Sequence, residues 1–409
     1  MSDVLIIGGG AAGLMAAGVA SMAGRDVVVL ERNDKPARKV MITGKGRCNV
    51  TNNCPSLDEL IANVPVNGRF VYSAFSRFMP QDTMELFEDM GVELKTERGN
   101  RVFPVSDRAA DIVDALTAFA TDDGAKIIKG RAKELIIEDG QVKGVLTYEG
   151  EKYFADSVII ATGGKSYPAT GSTGDGYKLA QQAGHTIITP KPSLVSLECH
   201  EGFCTDLMGL SLKNVSIKVN DTKKNKILYE DFGEMLFTHF GVSGPMILSA
   251  SSHMREMERG RYEIHIDLKP RLTSEQLDTR ILRDFSENNN KNFINSLGGL
   301  LPRKMIPVAV KLSGIKPTEK VNQITKEQRQ KLAAVLKDIK LTVNSFSPIE
   351  EAIVTSGGVK VSEINPKTMA SKLVGGLYFA GEVIDVDAYT GGFNLQTAFS
   401  TGHLAGENV

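Results

Sequence analysis

Hydrophobic and polar positions change period several times along the chain, and each change marks a part. Val4 to Ile7 is a short, uncharged, β-branched run of strand length. A small-residue stretch from about Ala11 to Ala23 has the length of a helix; Gly24 and Arg25-Asp26 break it. Val27 to Leu30 then predicts a second strand, closed by Glu31. Apolar positions at helical spacing predict helices over 80–91 and 108–120. Alternation takes over at 125–128, 131–138, 142–148 and 153–160, with Asp139-Gly140 as the tight turn of a hairpin. Glycines at 171, 174, 176 and 184 bracket a short helix over 176–183. Near Pro190 the pattern shifts to several strands with charged turns, over 193–270. Three helices are predicted next, at 274–288, 302–313 and 325–339, the last with Leu332, Val335, Leu336 and Ile339 on one face. From Thr355 the glycine-rich strand-and-helix character returns and ends in a helix over 394–404. The expected fold class is α/β. One domain is made from both ends of the chain, 1–190 plus 346–409. It is interrupted by a β-rich domain at 191–272 and a helical subdomain at 273–345.

Chemistry concentrates where strands meet helices. Gly8, Gly10 and Gly13 fall at G-x-G-x-x-G spacing between the first strand and its helix. Gly8 suits the tight turn, Gly10 admits a pyrophosphate to the backbone, and Gly13 lets helix and strand pack closely. The free N–H groups and positive dipole end of the helix favour phosphate, and Glu31 can accept from ribose hydroxyls. This is a dinucleotide-binding signature. Near the other end, Gly376 to Glu382 reads as a buried strand ending in a small pair and an acid. Tyr389 to Asn394 follows as a glycine turn into a helix. Gly164-Lys165-Ser166 resembles the end of a phosphate loop, but Ile159 stands where its first glycine belongs.

Composition changes this picture only by exclusion. The chain has 409 residues, enough for two or three domains, and 42% hydrophobic with 24% charged residues is ordinary for a globular protein. The formal net charge of −1 gives no global attraction to nucleic acid or anionic membranes, so no nucleic-acid or membrane partner is expected; a local basic patch stays open. Cys48, Cys54, Cys199 and Cys204 have neither C-x-x-C nor zinc spacing, and the six histidines are scattered, so no metal site is expected. Val4 to Gly24 is uncharged, but its only preceding charge is Asp3, which argues against a signal peptide, and its glycines argue against a spanning helix. A cytoplasmic location is expected.

Six segments together resemble one family: GGGAAG at 8–13, RKVMITGKGRCNVTN at 38–52, ATGG with STGDGY at 161–177, FTHFGVSGP at 237–245, TSGGV at 355–359 and AGEVIDVDAYTGGFNLQ at 380–396. The chain resembles the FAD-dependent oxidoreductases that include aminoacetone oxidase and bile-acid 3-oxo-delta-4,6 reductase. The resemblance implies a Rossmann-like FAD-binding domain of the two-dinucleotide-binding-domain flavoprotein type, with an inserted β-barrel-like domain and a small helical subdomain. For the cofactor FAD it implies contacts from Gly8, Gly10, Ala12 and Gly13, and from Glu31, Arg32, Arg38 and Lys39. Gly44, Gly46, Arg47, Cys48 and Asn49 would line the isoalloxazine, and Ala132 would meet the adenine. Thr162 and Gly163 would pass the pyrophosphate; Gly381, Glu382 and Asp385 would sit at the ribityl chain. Gly392, Phe393, Asn394 and Leu395 would cap the pyrimidine ring. The family text has three small residues where this chain has Gly44-Lys45-Gly46, so Lys45 is open to two readings, flavin contact or solvent.

The candidates for proton donation are Tyr167, His239 and Cys48. Each has a plain alternative: a turn before Pro168, support for a helix that Ser243 would cap and Pro245 would start, and a small buried residue. No second G-x-G-x-x-G offers a separate nicotinamide domain, so NAD(P)H would bind transiently. The expected function is hydride transfer from NAD(P)H through flavin to an activated C=C of a small molecule, a 3-oxo bile acid or steroid enone by resemblance. The alternatives are an amine oxidase of the aminoacetone type that uses O₂, and a tRNA-modifying flavoprotein. The insertion, with its FTHFGVSGP segment, is expected to cover the flavin and select substrate, the alternative being oligomerisation. The oligomeric state carries no expectation.

Overall fold

The computed structural model describes residues 2–409, and the chain forms two compact units: residues 2–193 with Pro348–Val409, and Leu194–Ser347. In the first unit, strand β1 (Ser2–Ile7) lies between strand β2 (Val27–Glu31) and Lys152–Ile160, parallel to both, with Ile7 opposite Leu30 and Ile160. Lys126–Lys129 extends the sheet beyond β2, and Leu377–Phe379 adds a parallel strand at Lys152–Ile160. The hairpin Ala132–Glu138/Gln141–Thr147 completes it on that side, turning at Asp139-Gly140. Strands buried on both faces read as continuous apolar runs rather than alternation, which is why β1 shows so clearly.

Helix α1 (Ala11–Met22) is buried for most of its length and is built largely of Ala and Gly. The carboxy-terminal helix (Phe393–Glu407) packs along it. A side chain at Gly402 would come within 2.4 Å of the Ala12 carbonyl oxygen, and one at Gly406 within 2.7 Å of that of Ala16. That close approach brings the two ends of the chain together around one helix start.

The second unit is a closed antiparallel barrel of six strands: Leu197–Cys199, Gly241–Ser243, Lys226–Phe237, Ser211–Asp221, Tyr262–Asp267 and Ile339–Phe346. The barrel-like domain implied by resemblance is present. Helices Ser274–Ser286, Met305–Ser313 and Lys326–Lys337 form an excursion between the last two barrel strands. Thr273 with Gln276, and Thr325 with Gln328, close reciprocal capping boxes on two of them. The helix expected over 325–339 stops at Lys337. Asp338 leaves helical geometry (φ −152), and Ile339 begins the strand that closes the barrel against Leu197–Cys199. Ile339 is buried in that strand, so its apolar character fits either element. Ser243 is a correction too: Gly244 occupies the cap position before Pro245, and the Ser243 hydroxyl pairs with that of Ser196 at 2.8 Å.

Candidate active site

The strand-to-helix turn after β1 opens a cavity of the first unit, with about 1340 Å³ of atom-free space including its open mouth. Gly8 has φ +103, and a side chain there would meet the Ala161 carbonyl oxygen at 2.7 Å. Gly13 faces away from the cavity: a Cβ would stand 1.9 Å from the Gly8 carbonyl oxygen, so its role is packing. At Gly10 a side chain would meet nothing within 4 Å, and no side chain caps the helix that starts there. The first-turn amides of α1 therefore remain available at a cavity wall.

Glu31 is only 7% exposed and lines this wall. Its carboxylate accepts the Gly9 N–H at 2.8 Å, the Asn33 N–H at 2.8 Å and the Asn33 side-chain amide at 2.7 Å. A carboxylate offers about four acceptor positions, so capacity for one further donor remains. Lys39 Nζ donates to Glu382 Oε2 at 2.7 Å and to Ser166 Oγ at 2.6 Å. The other Glu382 oxygen accepts the Thr355 N–H at 2.7 Å, so the strand-end acid is held from two sides.

The lining includes Gly8, Gly10, Ala12, Glu31, Arg32, Arg38 and Lys39 from the first signature. It also includes Ala132, Thr162 and Gly163, and Gly381, Glu382, Asn394 and Leu395 from the second. Asn394 clasps its own turn through the Ala388 N–H and carbonyl, at 2.9 and 2.8 Å. Gly44, Gly46, Arg47, Cys48 and Asn49 lie off the cavity wall, where Thr43 is the nearest part of their loop to reach it. Gly44, Lys45, Gly46 and Cys48 all have positive φ. Arg47 is drawn to Glu97 and Asp107 and lies over the Phe103 ring at 4.2 Å. Asn49, oriented to satisfy both ends of its amide, joins the Thr51 and Val102 carbonyls to the Gly392 N–H. It thus ties this loop to the carboxy-terminal glycine turn. Gly392, Phe393 and Asp385 are not part of the wall, and Asn67 donates to the Asp385 carboxylate at 3.0 Å.

None of the three proton-donor candidates lines the cavity. Tyr167 (φ +50, 36% exposed) shapes the turn into Pro168–Thr170, its carbonyl accepting from Thr170. Cys48 is fully buried, and burial pushes its thiol up to about 12, against a smaller opposing hydrogen bond from Thr43. His239 belongs to the barrel unit, with its ring edge-on to Phe240 and its carbonyl accepting from Thr205.

One network is not foreseen by the sequence motifs. Asp175, the first residue of helix Asp175–Gln182, takes both Arg131 Nε (2.7 Å) and Arg131 Nη2 (2.9 Å), and Arg32 at 3.3 Å; all three residues line the cavity. Burial pushes the Asp175 carboxyl up, but Arg131 and Arg32 outweigh it and hold it below the ordinary range. Arg131 also lies over the Tyr148 ring at 4.5 Å. The signal in the sequence is the acid in STGDGY at a helix start.

These residues fit a flavin dinucleotide. The uncapped amides and the bare Gly10 position suit a pyrophosphate, and the Thr162 hydroxyl, buried without a partner among the described residues, is an unmet donor on the same wall. A second helix start, capped by Gly392 alone, carries Asn394 and Leu395 to that wall. An α/β sheet that turns two helix starts toward one cleft, beside an acid at the end of its second strand, is the architecture of an FAD-dependent oxidoreductase, and this protein is one. The chain belongs to the family described as HI0933-like protein Rossmann domain, which matches residues 2–408. It is 32% identical to the 3-dehydro-bile acid delta(4,6)-reductase of Clostridium scindens, over 99% of this chain and 98% of that one. It is 31% identical to the ribosomal RNA dihydrouridine synthase of Escherichia coli, over 100% and 98%. The fold is similar to that of 3-ketosteroid delta1-dehydrogenase from Sterolibacterium denitrificans (TM-score 0.53, 13% identity, 99% of this chain and 98% of that one). Among the described residues, no helix is long and apolar enough to cross a membrane.

Proposed function

We propose that this protein adds hydrogen across a carbon–carbon double bond conjugated to a carbonyl, with NAD(P)H as the hydride source. One hydride and one proton are added, NAD(P)H becomes NAD(P)⁺, and the C=C becomes CH–CH. One observation carries the reading. Two relatives that span the whole chain are named for chemically unrelated molecules, a 3-oxo bile acid and a uridine, yet both names describe saturation of this same kind of bond. Bound FAD supplies reversible hydride chemistry. The chain's own residues bind and orient: the α1 start holds the pyrophosphate charge, Glu31 accepts from the ribose, and the Lys39–Glu382 pair fixes the strand-end acid.

Between the two substrate classes, the distribution of charge favours uridine in RNA over the small-molecule enone. The total of −1 conceals a strongly basic segment, which is why the whole-chain figure argues against a nucleic-acid partner. The test is anaerobic incubation of FAD-loaded protein with NADH or NADPH, then with a uridine-containing RNA or a steroid enone. The expected result is nicotinamide oxidation matched by a gain of two hydrogens in the acceptor. Oxygen consumption with aminoacetone, and no nicotinamide-dependent saturation of either acceptor, would move the protein to the amine-oxidase alternative.

A further inference from the structure

The part of the helical excursion that follows its first helix is electrically unlike the rest of the molecule. Residues 288–337 contain ten Lys and Arg against two Asp and Glu, a net charge of +8. The remaining chain holds thirty-eight against forty-seven, a net charge of −9. Surface charges of both signs normally intermix, and asymmetry of this size within one chain points to a polyanionic partner.

Most of these cations also lack a carboxylate partner among the described residues. Arg329 is paired with Asp278 and Lys337 with Asp267. The other eight (Lys291, Arg303, Lys304, Lys311, Lys316, Lys320, Lys326 and Lys331) are exposed, and none has an ion pair with a carboxylate among the described residues. Of the two acids, Glu319 accepts from Gln328, and Glu327 lies in the first turn of its helix. The fold gathers part of this charge along one edge. Asn292 bridges to Lys320, and Phe293 and Ile294 donate to the Glu319 and Pro317 carbonyls. Lys291, Lys316 and Lys320 are thereby brought together, with Lys311 in the last turn of helix Met305–Ser313. The amides of Asn289 and Asn290, which suit sugar and base edges, are exposed next to Lys291.

We propose that this face, centred on Lys291, Lys316 and Lys320, docks the phosphate backbone of folded RNA. Two further features narrow the choice of polyanion. The only aromatic residue in the segment is Phe293, fully buried, so no stacking platform for single-stranded bases exists. The only large apolar side chain exposed there is Leu312, at 42%, which is too little to enter a bilayer. What remains is recognition of a backbone by charge and shape. The choice of RNA rests on the uridine reading above; the docking face rests on charge and exposure.

The test uses the FAD-loaded full chain and a uridine-containing RNA hairpin. Two triple reversals, Lys291→Glu/Lys316→Glu/Lys320→Glu and Lys311→Glu/Lys326→Glu/Lys331→Glu, are compared with a control of equal charge on exposed strand lysines of the first unit, Lys126→Glu/Lys143→Glu/Lys152→Glu. Flavin spectrum and melting temperature certify folding; because Lys320 also holds the Asn290 carbonyl, the second triple guards against a folding defect in the first. The expected result is at least tenfold weaker RNA binding in the first variant, a smaller loss in the second, and near-native binding in the control. The slope of log affinity against log salt should flatten by about 0.9 for each phosphate that is no longer neutralised. Native-like binding in both face variants, equal losses in the control, or no RNA binding by the wild type would overturn the proposal. So would capture by anionic phospholipid vesicles without RNA binding. RNA bound through this face but never reduced at uridine would leave the docking face standing and remove the uridine reading.

Discussion

A single carboxylate organises the nucleotide end of the cleft. Glu31 is tied by the Gly9 N–H, the Asn33 N–H and the Asn33 amide, so it shapes the glycine turn as well as offering an acceptor to ribose. Glu31→Ala should weaken FAD binding. Loss of a hydrogen bond to a charged acceptor costs about 1.5–3 kcal/mol, roughly ten- to a hundredfold in affinity. Titration of apo-protein with FAD measures it, and turnover at saturating FAD should change much less. Unchanged affinity with collapsed turnover would remove Glu31 from the ribose. Cys48 makes the opposite kind of statement. Its thiol is fully buried and raised to about 12, so at pH 8 almost no thiolate exists to react. A thiol reagent should label Cys48 only after denaturant is added. Rapid labelling of Cys48 in native protein would show that its loop opens readily, and would reinstate it as a candidate at the flavin.

The strand–turn–helix unit separates two jobs that its glycines share in the sequence. At Gly13 any side chain strikes the Gly8 carbonyl oxygen, so Gly13→Ala must shift helix against strand. Overpacking of this kind typically costs about 1–3 kcal/mol, and the melting temperature of the apo-protein should fall. At Gly10 the backbone is extended (φ −85) and a side chain meets open cavity, so Gly10→Val should leave apo-protein stability near wild type and abolish FAD binding. Thermal melts with and without FAD distinguish them: wild type is stabilised by FAD through mass action, and Gly10→Val is not. If both variants destabilised the apo-protein equally, the division between packing and cradle would fail. The same element shows what is legible locally. Strand, turn, helix and acid all lie within the first 31 residues, and each follows from neighbours in sequence. Capping boxes at Thr273 and Thr325 are equally local, and the helix starts they mark agree with the sequence pattern to within a residue.

At the scale of the molecule, what escapes the sequence is what depends on distant partners. Ile339 looks like one more position on a helical stripe because its strand partners, at 197–199 and 262–267, are nowhere near it in sequence. Arg47 sits in a motif that points toward the flavin; its actual partners, Glu97 and Asp107, are 50 and 60 residues on. The Arg131–Asp175 pair spans 44 residues and leaves only an unremarked acid in a glycine motif. Histidines desolvated by distant packing are a further consequence. His185 lies in the core beside Phe379, and burial lowers its pKa, with Glu363 opposing in part; burial lowers that of His403 too, with Glu407 and Asp82 opposing. The sign follows from proton counting. Folded protein holds these rings neutral at pH values where the unfolded chain, with ordinary histidine values near 6.5, already binds protons. Their contribution to stability is therefore complete above the unfolded value and is lost as pH falls from about 6.5 toward the folded values. The melting temperature should drop through that window before carboxylates titrate. His185→Gln and His403→Gln, although less stable at neutral pH, should show a flatter fall. A wild-type melting temperature that stays constant or rises between pH 7 and pH 5.5 would contradict the assignment, as would two variants whose slopes match wild type.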